Sequence, residues 1–340
     1  MSAPVIAFFS QQGGSGMTTL TYHLAWMYAD LGLRVLAVDV DPQADLSASF
    51  IAADRLEQFI PAALKENHDT FGDVSRPLTI AGAIEPVLRL APCPAESHVE
   101  EVAENLGLIV GDPKLALFEE RFAKEWDQIE QPETDLRVVT SLWRVIQSAA
   151  RAHDANMVLL DLAPNLGAIN RAALLAADYI IVPVSPEPRS LRALGGLGDT
   201  LLRWRDQWQS LRGKLPRSQD LPGGQMEPLG YVVLSPPARL DRPAMPYQRW
   251  LDSIDLDYRA AGLFVAVDFK PRYFTAELHH YHGLMEMAQE ARKPVFRLKP
   301  ADGAVGAYSR ATQDAYRDFH ALAALVAERT GIPLPRMLEV

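Results

Sequence analysis

Val5-Ile6-Ala7-Phe8-Phe9-Ser10-Gln11-Gln12-Gly13-Gly14-Ser15-Gly16-Met17-Thr18-Thr19 is the stretch on which the fold of this 340-residue chain turns. Five consecutive apolar residues read as a strand buried on both faces, and the glycine cluster after them as a tight loop. From Thr18 to Leu31, the residues Leu20, Leu24, Met27 and Leu31 recur at helical spacing, and Gly32 stops the helix. Val35-Leu36-Ala37-Val38-Asp39 is a second apolar run. Strand, loop, helix and strand follow within about 35 residues, the size of a right-handed βαβ crossover. A glycine-rich turn between strand and helix lets backbone N–H groups approach an anion, and the helix N-terminus adds a favourable dipole. The stretch therefore predicts a nucleotide-type loop, in which a threonine hydroxyl is placed for Mg²⁺. The other reading of the same glycines is a packing turn.

Working outward, apolar runs recur at Leu106–Val110, Met157–Leu160, Tyr179–Val184, Leu229–Leu234 and Leu263–Val267. Helical spacing marks Leu136–Ala152, Ala168–Ala176, Leu191–Leu211, Pro246–Ala261 and Gly306–Arg329. Strands apolar on both faces, alternating with helices, predict an α/β fold: a doubly wound, mostly parallel sheet flanked by helices. One domain over 1–340 is expected, with an insertion at about 51–135 and a loop insertion at about 212–228. Residues 51–95 read as peripheral, so their deletion is expected to spare folding, whereas deletion of strand 106–110 is not.

One cysteine, Cys93, excludes a disulfide framework, a four-cysteine zinc site and an iron–sulfur cluster within the chain. No apolar run reaches 18 residues, and the N-terminus lacks the basic region of a signal peptide. A cytoplasmic protein is expected, brought to the nucleoid if DNA is a partner. The net charge of −10 is uneven. Residues 96–135 hold 12 acidic and three basic side chains, and are expected to face solvent. Residues 189–217 hold seven basic and two acidic ones, and 292–299 hold four basic and none acidic. Such local patches allow an anionic partner despite the acidic total.

Four motifs together resemble the ParA/MinD family of deviant Walker ATPases, and most closely its ParA-like partition proteins. The loop Gln12-Gly13-Gly14-Ser15-Gly16-Met17-Thr18-Thr19 is similar to that family's Lys-Gly-Gly-x-Gly-Lys-Thr-Thr/Ser. Asp39-Val40-Asp41-Pro42-Gln43 matches Asp-x-Asp-Pro-Gln. Val158 to Asn165 looks like the Walker B strand and switch, and Gly107 to Asp112 sits where relatives have a strand. The resemblance implies a P-loop NTPase fold of the SIMIBI type, ATP or ADP with Mg²⁺, and a homodimer. It also implies non-specific DNA binding and a ParB-like or other partner protein, with no membrane role. By position, it implies that residues 12–19 hold the phosphates and that Asp41, with Asp39, serves catalysis. Thr18, Asp39 and Asp161 would stand near the metal, and Ser235 and Pro271 near the base.

Two lysines that define the family loop are absent. Gln12 and Met17 stand in their places, removing two cations from a site for about four negative charges. Losing one electrostatic donor commonly costs about 10²–10³ in rate. Hydrolysis is therefore expected to be weak or absent. Arg189 or Arg192 could supply a replacement cation. Two functions stay open: a nucleotide-dependent dimerisation switch in DNA or cargo partitioning, and a non-enzymatic binding or scaffold protein with a decayed loop. Arg203, Arg205, Arg212, Lys214, Arg292 and Lys293 are the candidate phosphate contacts for DNA. Their alternative is solvated helix faces. His279-His280-Tyr281-His282 reads as a packing or surface cluster, since adjacent helix residues face different ways. Trp204 and Trp208, four apart, read as helix packing.

Overall fold

The computed structural model describes residues 3–60, 78–89, 91, 97–129, 136–185, 188–216, 220–234, 253, 274–278 and 281–335. For 188–192, 274–277 and 282 it describes the backbone alone. Eight strands form one sheet. They are β1 (Val5–Phe8), β2 (Val35–Asp39), β3 (Glu100–Ala103), β4 (Leu106–Ile109), β5 (Met157–Asp161), β6 (Tyr179–Val184), β7 (Glu227–Leu234) and β8 (Phe274–Leu278). Their spatial order is β3-β4-β2-β5-β1-β6-β7-β8. Every pair is parallel except β3 with β4.

The helices are α1 (Met17–Asp30), α2 (Asp45–Phe50), α3 (Ala53–Phe59), α4 (Ile80–Leu88), α5 (Glu119–Asp127) and α6 (Leu136–Val139). They continue with α7 (Ser141–Ala152), α8 (Ala168–Ala176), α9 (Pro188–Lys214), α10 (His282–Ala291) and α11 (Ala307–Thr330). Alternate residues of β1 feed two cores, as the period of a strand requires. Val5, Ala7 and Phe9 pack with α4 to α9, while Ile6 and Phe8 pack with α1, α10 and α11. This two-sided burial is why the strands read as unbroken apolar runs. The chain winds from β1 to β2 and β4 on one side, then to β6, β7 and β8 on the other. Such a reversal opens a crevice at the carboxyl ends of the central strands, where ligands bind in doubly wound sheets.

Several expectations need correction. The segment 51–95 is not peripheral throughout. Thr79 bridges to Val110, and Ile80, Ala81 and Ile84 of α4 are fully buried in the core. The acidic segment 96–135 does not simply face solvent, because Leu115, Phe122, Trp126 and Ile129 are buried within it. It also contains β3, whose half-exposed, acidic residues carry no apolar run to reveal an edge strand. The helix read over Leu136–Ala152 breaks at Thr140. There the Thr140 and Ser141 hydroxyls donate back to the carbonyls of Leu136 and Val138, at 2.7 Å each. Strand β8 lies just beyond the expected strand Leu263–Val267, which falls outside the described residues. Helix Pro246–Ala261 also falls outside them, apart from Ser253, as do His279 and His280. Trp204 and Trp208 are buried, as helix packing requires.

Candidate functional site

The loop between β1 and α1 lies at the carboxyl edge of the sheet. Gly14 and Gly16 hold positive φ, 73° and 82°, a region that other residues adopt only at a cost. At Gly16, a Cβ would also collide with Leu234 Cδ1. Gly16 caps α1 and brings no side chain of its own to the helix's first N–H groups. Those donors face the loop as an anion-binding terminus does. Met17 is buried in the same core as Leu20 and Leu24. Its Sδ accepts the Ser10 N–H at 3.1 Å, which ties this thioether to the backbone at the start of the loop.

Three carboxylates gather at the ends of β2 and β5. Asp39 and Asp161 are paired in register, and both are fully buried. Asp39 accepts the Ser47 N–H at 2.8 Å, the Ser47 hydroxyl at 2.7 Å and the Asp41 N–H at 3.2 Å. Burial nevertheless pushes its pKa up to about 7, with repulsion from Asp41 adding to the rise. Asp41 accepts the Gln43 N–H at 2.9 Å, and burial raises its pKa too. Asp161 is raised well above the ordinary carboxylate range, by burial first and by repulsion from Asp39 second. The Thr18 hydroxyl offsets part of that rise, yet neither oxygen of Asp161 has a partner at hydrogen-bond geometry among the described residues.

Buried like charges with unpartnered oxygens suit a cation. Among the described residues, no three His, Cys, Asp or Glu side chains stand close enough to hold a metal by themselves. A cation here would need further ligands, such as phosphate oxygens, water or the Thr18 hydroxyl. Sequence reasoning missed Ser47 and Gly111. The Gly111 N–H donates to Ser47 Oγ at 2.8 Å, and a Cβ on Gly111 would stand 2.6 Å from Asp39 Cγ. Only a glycine two residues beyond β4 hinted at this close approach.

The remaining expected residues divide. Ser235 and Pro271 lie outside the described residues, as do the side chains of Arg189 and Arg192. Helical geometry sets Arg203 and Lys214 on one face of α9 and Arg205 and Arg212 on another. Lys293 is paired with Asp302 at 2.6 Å, and Arg297 with Asp30, which leaves Arg292 exposed beside them.

A stability prediction follows from the carboxylates. A raised pKa means that the folded state keeps a proton the unfolded chain has released. The associated stability is present at low pH and is lost as pH rises through the window from about 4 to 7. Buried His23, held neutral with its pKa pushed down to about 4, gives the opposite slope below 6.5. Comparison of Asp161→Asn with wild type isolates the carboxylate effect. Without nucleotide or divalent cation, the variant's thermal midpoint should exceed wild type by a margin that grows from pH 5 to pH 8. A margin that shrinks over that range, in calorimetry at matched ionic strength, would contradict the buried-charge account.

Residues 3–212 match AAA_31, an AAA domain. The sporulation initiation inhibitor protein Soj of Bacillus subtilis is 28% identical over 198 residues, covering 58% of this chain and 64% of that protein. The protein IncC of Escherichia coli is 28% identical over 212 residues, covering 62% and 49%. The chain spans about half the length of most curated relatives it matches. Among solved structures, a Cyanothece McdA variant in complex with ATP superposes with a TM-score of 0.63 at 15% identity, covering 98% of each chain. That likeness speaks to fold alone. Among the described residues, no helix is long and apolar enough to cross a membrane.

Proposed function

Because this chain belongs to the AAA_31 family of AAA domains, and with it to the ParA/MinD type, we propose that it is a ParA-like switch in DNA or cargo partitioning. In this reading ATP joins two copies, and hydrolysis is very slow or absent. One observation carries the reading: a left-handed glycine loop opens α1 beside three buried carboxylates, with Met17 packed inward at the helix start. The loop N–H groups and the Thr18 and Thr19 hydroxyls would hold the phosphates. Mg²⁺ fits the unpartnered oxygens of Asp161 and the Thr18 hydroxyl, and when bound would neutralise phosphate charge. Asp41 would orient water. With Met17 and Gln12 in the loop, the charge of a transferring phosphoryl group meets no loop cation, so binding outlives chemistry.

The test is sedimentation velocity with and without Mg²⁺ and ATP, beside titration with a fluorescent ATP analogue. A dimer that forms only with ATP and persists for many minutes is expected. Failure to bind the analogue at millimolar concentration would favour the scaffold reading.

DNA binding in this reading uses α9 and the segment after α10. Random duplex should bind with an affinity that falls by about 10³–10⁵ between 50 and 200 mM salt if six to ten phosphates are engaged. Reversal of exposed Arg203 and Lys214 to Glu should weaken binding more than reversal of Arg205 and Arg212, since Arg205 is half-buried. Lys293→Glu should also weaken binding, because it turns the neutral pair with Asp302 into two carboxylates beside exposed Arg292. Fluorescence anisotropy checks all three. Equal losses for the two α9 pairs would mean that no single face of that helix carries the DNA contacts.

A further inference from the structure

Helix α8 follows the loop that leaves Asp161, and it has no cap of its own. Its N-cap is Gly167, in extended backbone, with no side chain to accept from the first turn. That acceptor comes from another element. Glu119, the first residue of α5, takes the Ala168 N–H on Oε1 and the Ile169 N–H on Oε2, the latter at 3.3 Å. A carboxylate at a helix N-terminus is favoured both by its hydrogen bonds and by the helix dipole.

The approach depends on glycine. A Cβ on Gly167 would stand 2.6 Å from Glu119 Oε1 and 2.7 Å from Asn165 Oδ1. The rest of the loop is tied down from the same side. Gly167 N–H donates to Asn165 Oδ1 at 2.8 Å, and Asn170 Nδ2 donates to the carbonyls of Ala163 and Asn165 at 2.6 and 2.8 Å. Trp126, further along α5, donates its indole N–H to the Ala168 carbonyl at 3.0 Å. Pro164 of this loop lies against the phosphate loop, 3.8 Å from where a Gly13 Cβ would be.

The segment that carries Glu119 is anchored at its other end too. It begins at Gly111, whose N–H reaches Ser47, and Ser47 in turn holds Asp39. Residues 111–119 thus run from the carboxylate of β2 to the loop after the carboxylate of β5.

We propose that Glu119 is a positioning residue: its carboxylate is the missing N-terminal acceptor of α8 and fixes the loop 162–167 above the phosphate loop. Its consequence for nucleotide rests on the reading given under Proposed function. The positioning itself does not, because it is a property of the chain without nucleotide.

The test reads amide hydrogen exchange of 165–171 in the nucleotide-free protein. Glu119→Gln keeps the shape but loses the charge and one acceptor, and should speed exchange of Ala168 and Ile169 by at least about tenfold. Gly167→Ala leaves Glu119 in place yet expels its carboxylate, and should give the same acceleration. The double variant should be no faster than Gly167→Ala alone, since that change already displaces the Glu119 carboxylate as well as Asn165 Oδ1. Unchanged exchange in Glu119→Gln, or effects that multiply in the double variant, would overturn the proposal. Global stability from urea titration separates general loosening from this local effect. If all amides accelerate in parallel with a lower midpoint, Glu119 is merely structural. Titration of the same proteins with a fluorescent ATP analogue judges the nucleotide reading separately. An affinity loss shared by both single variants would tie the loop to the site. Wild type that binds no analogue would remove that reading and leave the exchange result standing.

Discussion

Lysine at both position 12 and position 17 should raise ATP turnover by about 10²–10³-fold over the unsubstituted chain, the range lost when one preorganised electrostatic donor is removed from an active site. The glycine backbone, the Thr18 hydroxyl and the carboxylates Asp39, Asp41 and Asp161 are already in place. In the proposed reading, what the loop would lack is charge opposite the phosphates. The gain should come mainly from position 17, because Met17 packs inside the loop and its sulfur takes the Ser10 N–H. The same burial gives the variant a signature. Without nucleotide, an ammonium there is desolvated among Leu20, Leu24 and their neighbours, so Met17→Lys should melt below wild type. With Mg²⁺ and ATP it should gain more thermal stability than wild type does. Single-turnover hydrolysis with labelled ATP and paired melting curves check both parts. An unsubstituted chain already as fast as the double variant would show that another group supplies the cation.

Ile84→Ala should destabilise the protein by about 2–5 kcal/mol, the range for removing a fully buried branched side chain from a core. Ile84 belongs to α4, which packs with the core beneath β2 and β4. The matched control is Leu117→Ala. Leu117 is 73% exposed, and its loss should change stability by no more than about 0.5 kcal/mol. Urea denaturation of the two variants decides whether this region belongs to the cooperative unit. Equal, negligible effects would restore the view of 51–95 as a dispensable insertion.

That misreading has a physical cause. Residues 61–77 separate α4 from the elements before it and are rich in charge, which drew the whole interval into one polar reading. The apolar face of α4 is short, Ile80, Ala81, Ile84 and Val87, and the helix contains Pro86, which a pattern search treats as a break. The central strands were legible for the opposite reason: burial on both faces leaves no polar residue to interrupt them. Strand β3 was not, because an edge strand makes its ladder through backbone and keeps charged side chains in water. At the site, the glycines, Asp39, Asp41 and Asp161 were legible by type and order. The Ser47–Gly111 and Glu119–Ala168 contacts were not, because they join residues 64 and 49 positions apart through backbone N–H groups that carry no residue identity.

The place of β1 in the sheet has a consequence for synthesis. This strand precedes both of its neighbours by more than 140 residues, because it lies between β5 and β6, with Val5 beside Val158 and Ile6 beside Tyr179. Both neighbours exist only after residue 184 has emerged. At roughly 5–20 residues per second that interval is on the order of 10–40 s. During it, Val5 to Phe9 is an apolar segment without partners, the kind of strand that seeks pairing with another chain. Slowing translation beyond β6 should therefore do less harm than slowing it between β1 and β6.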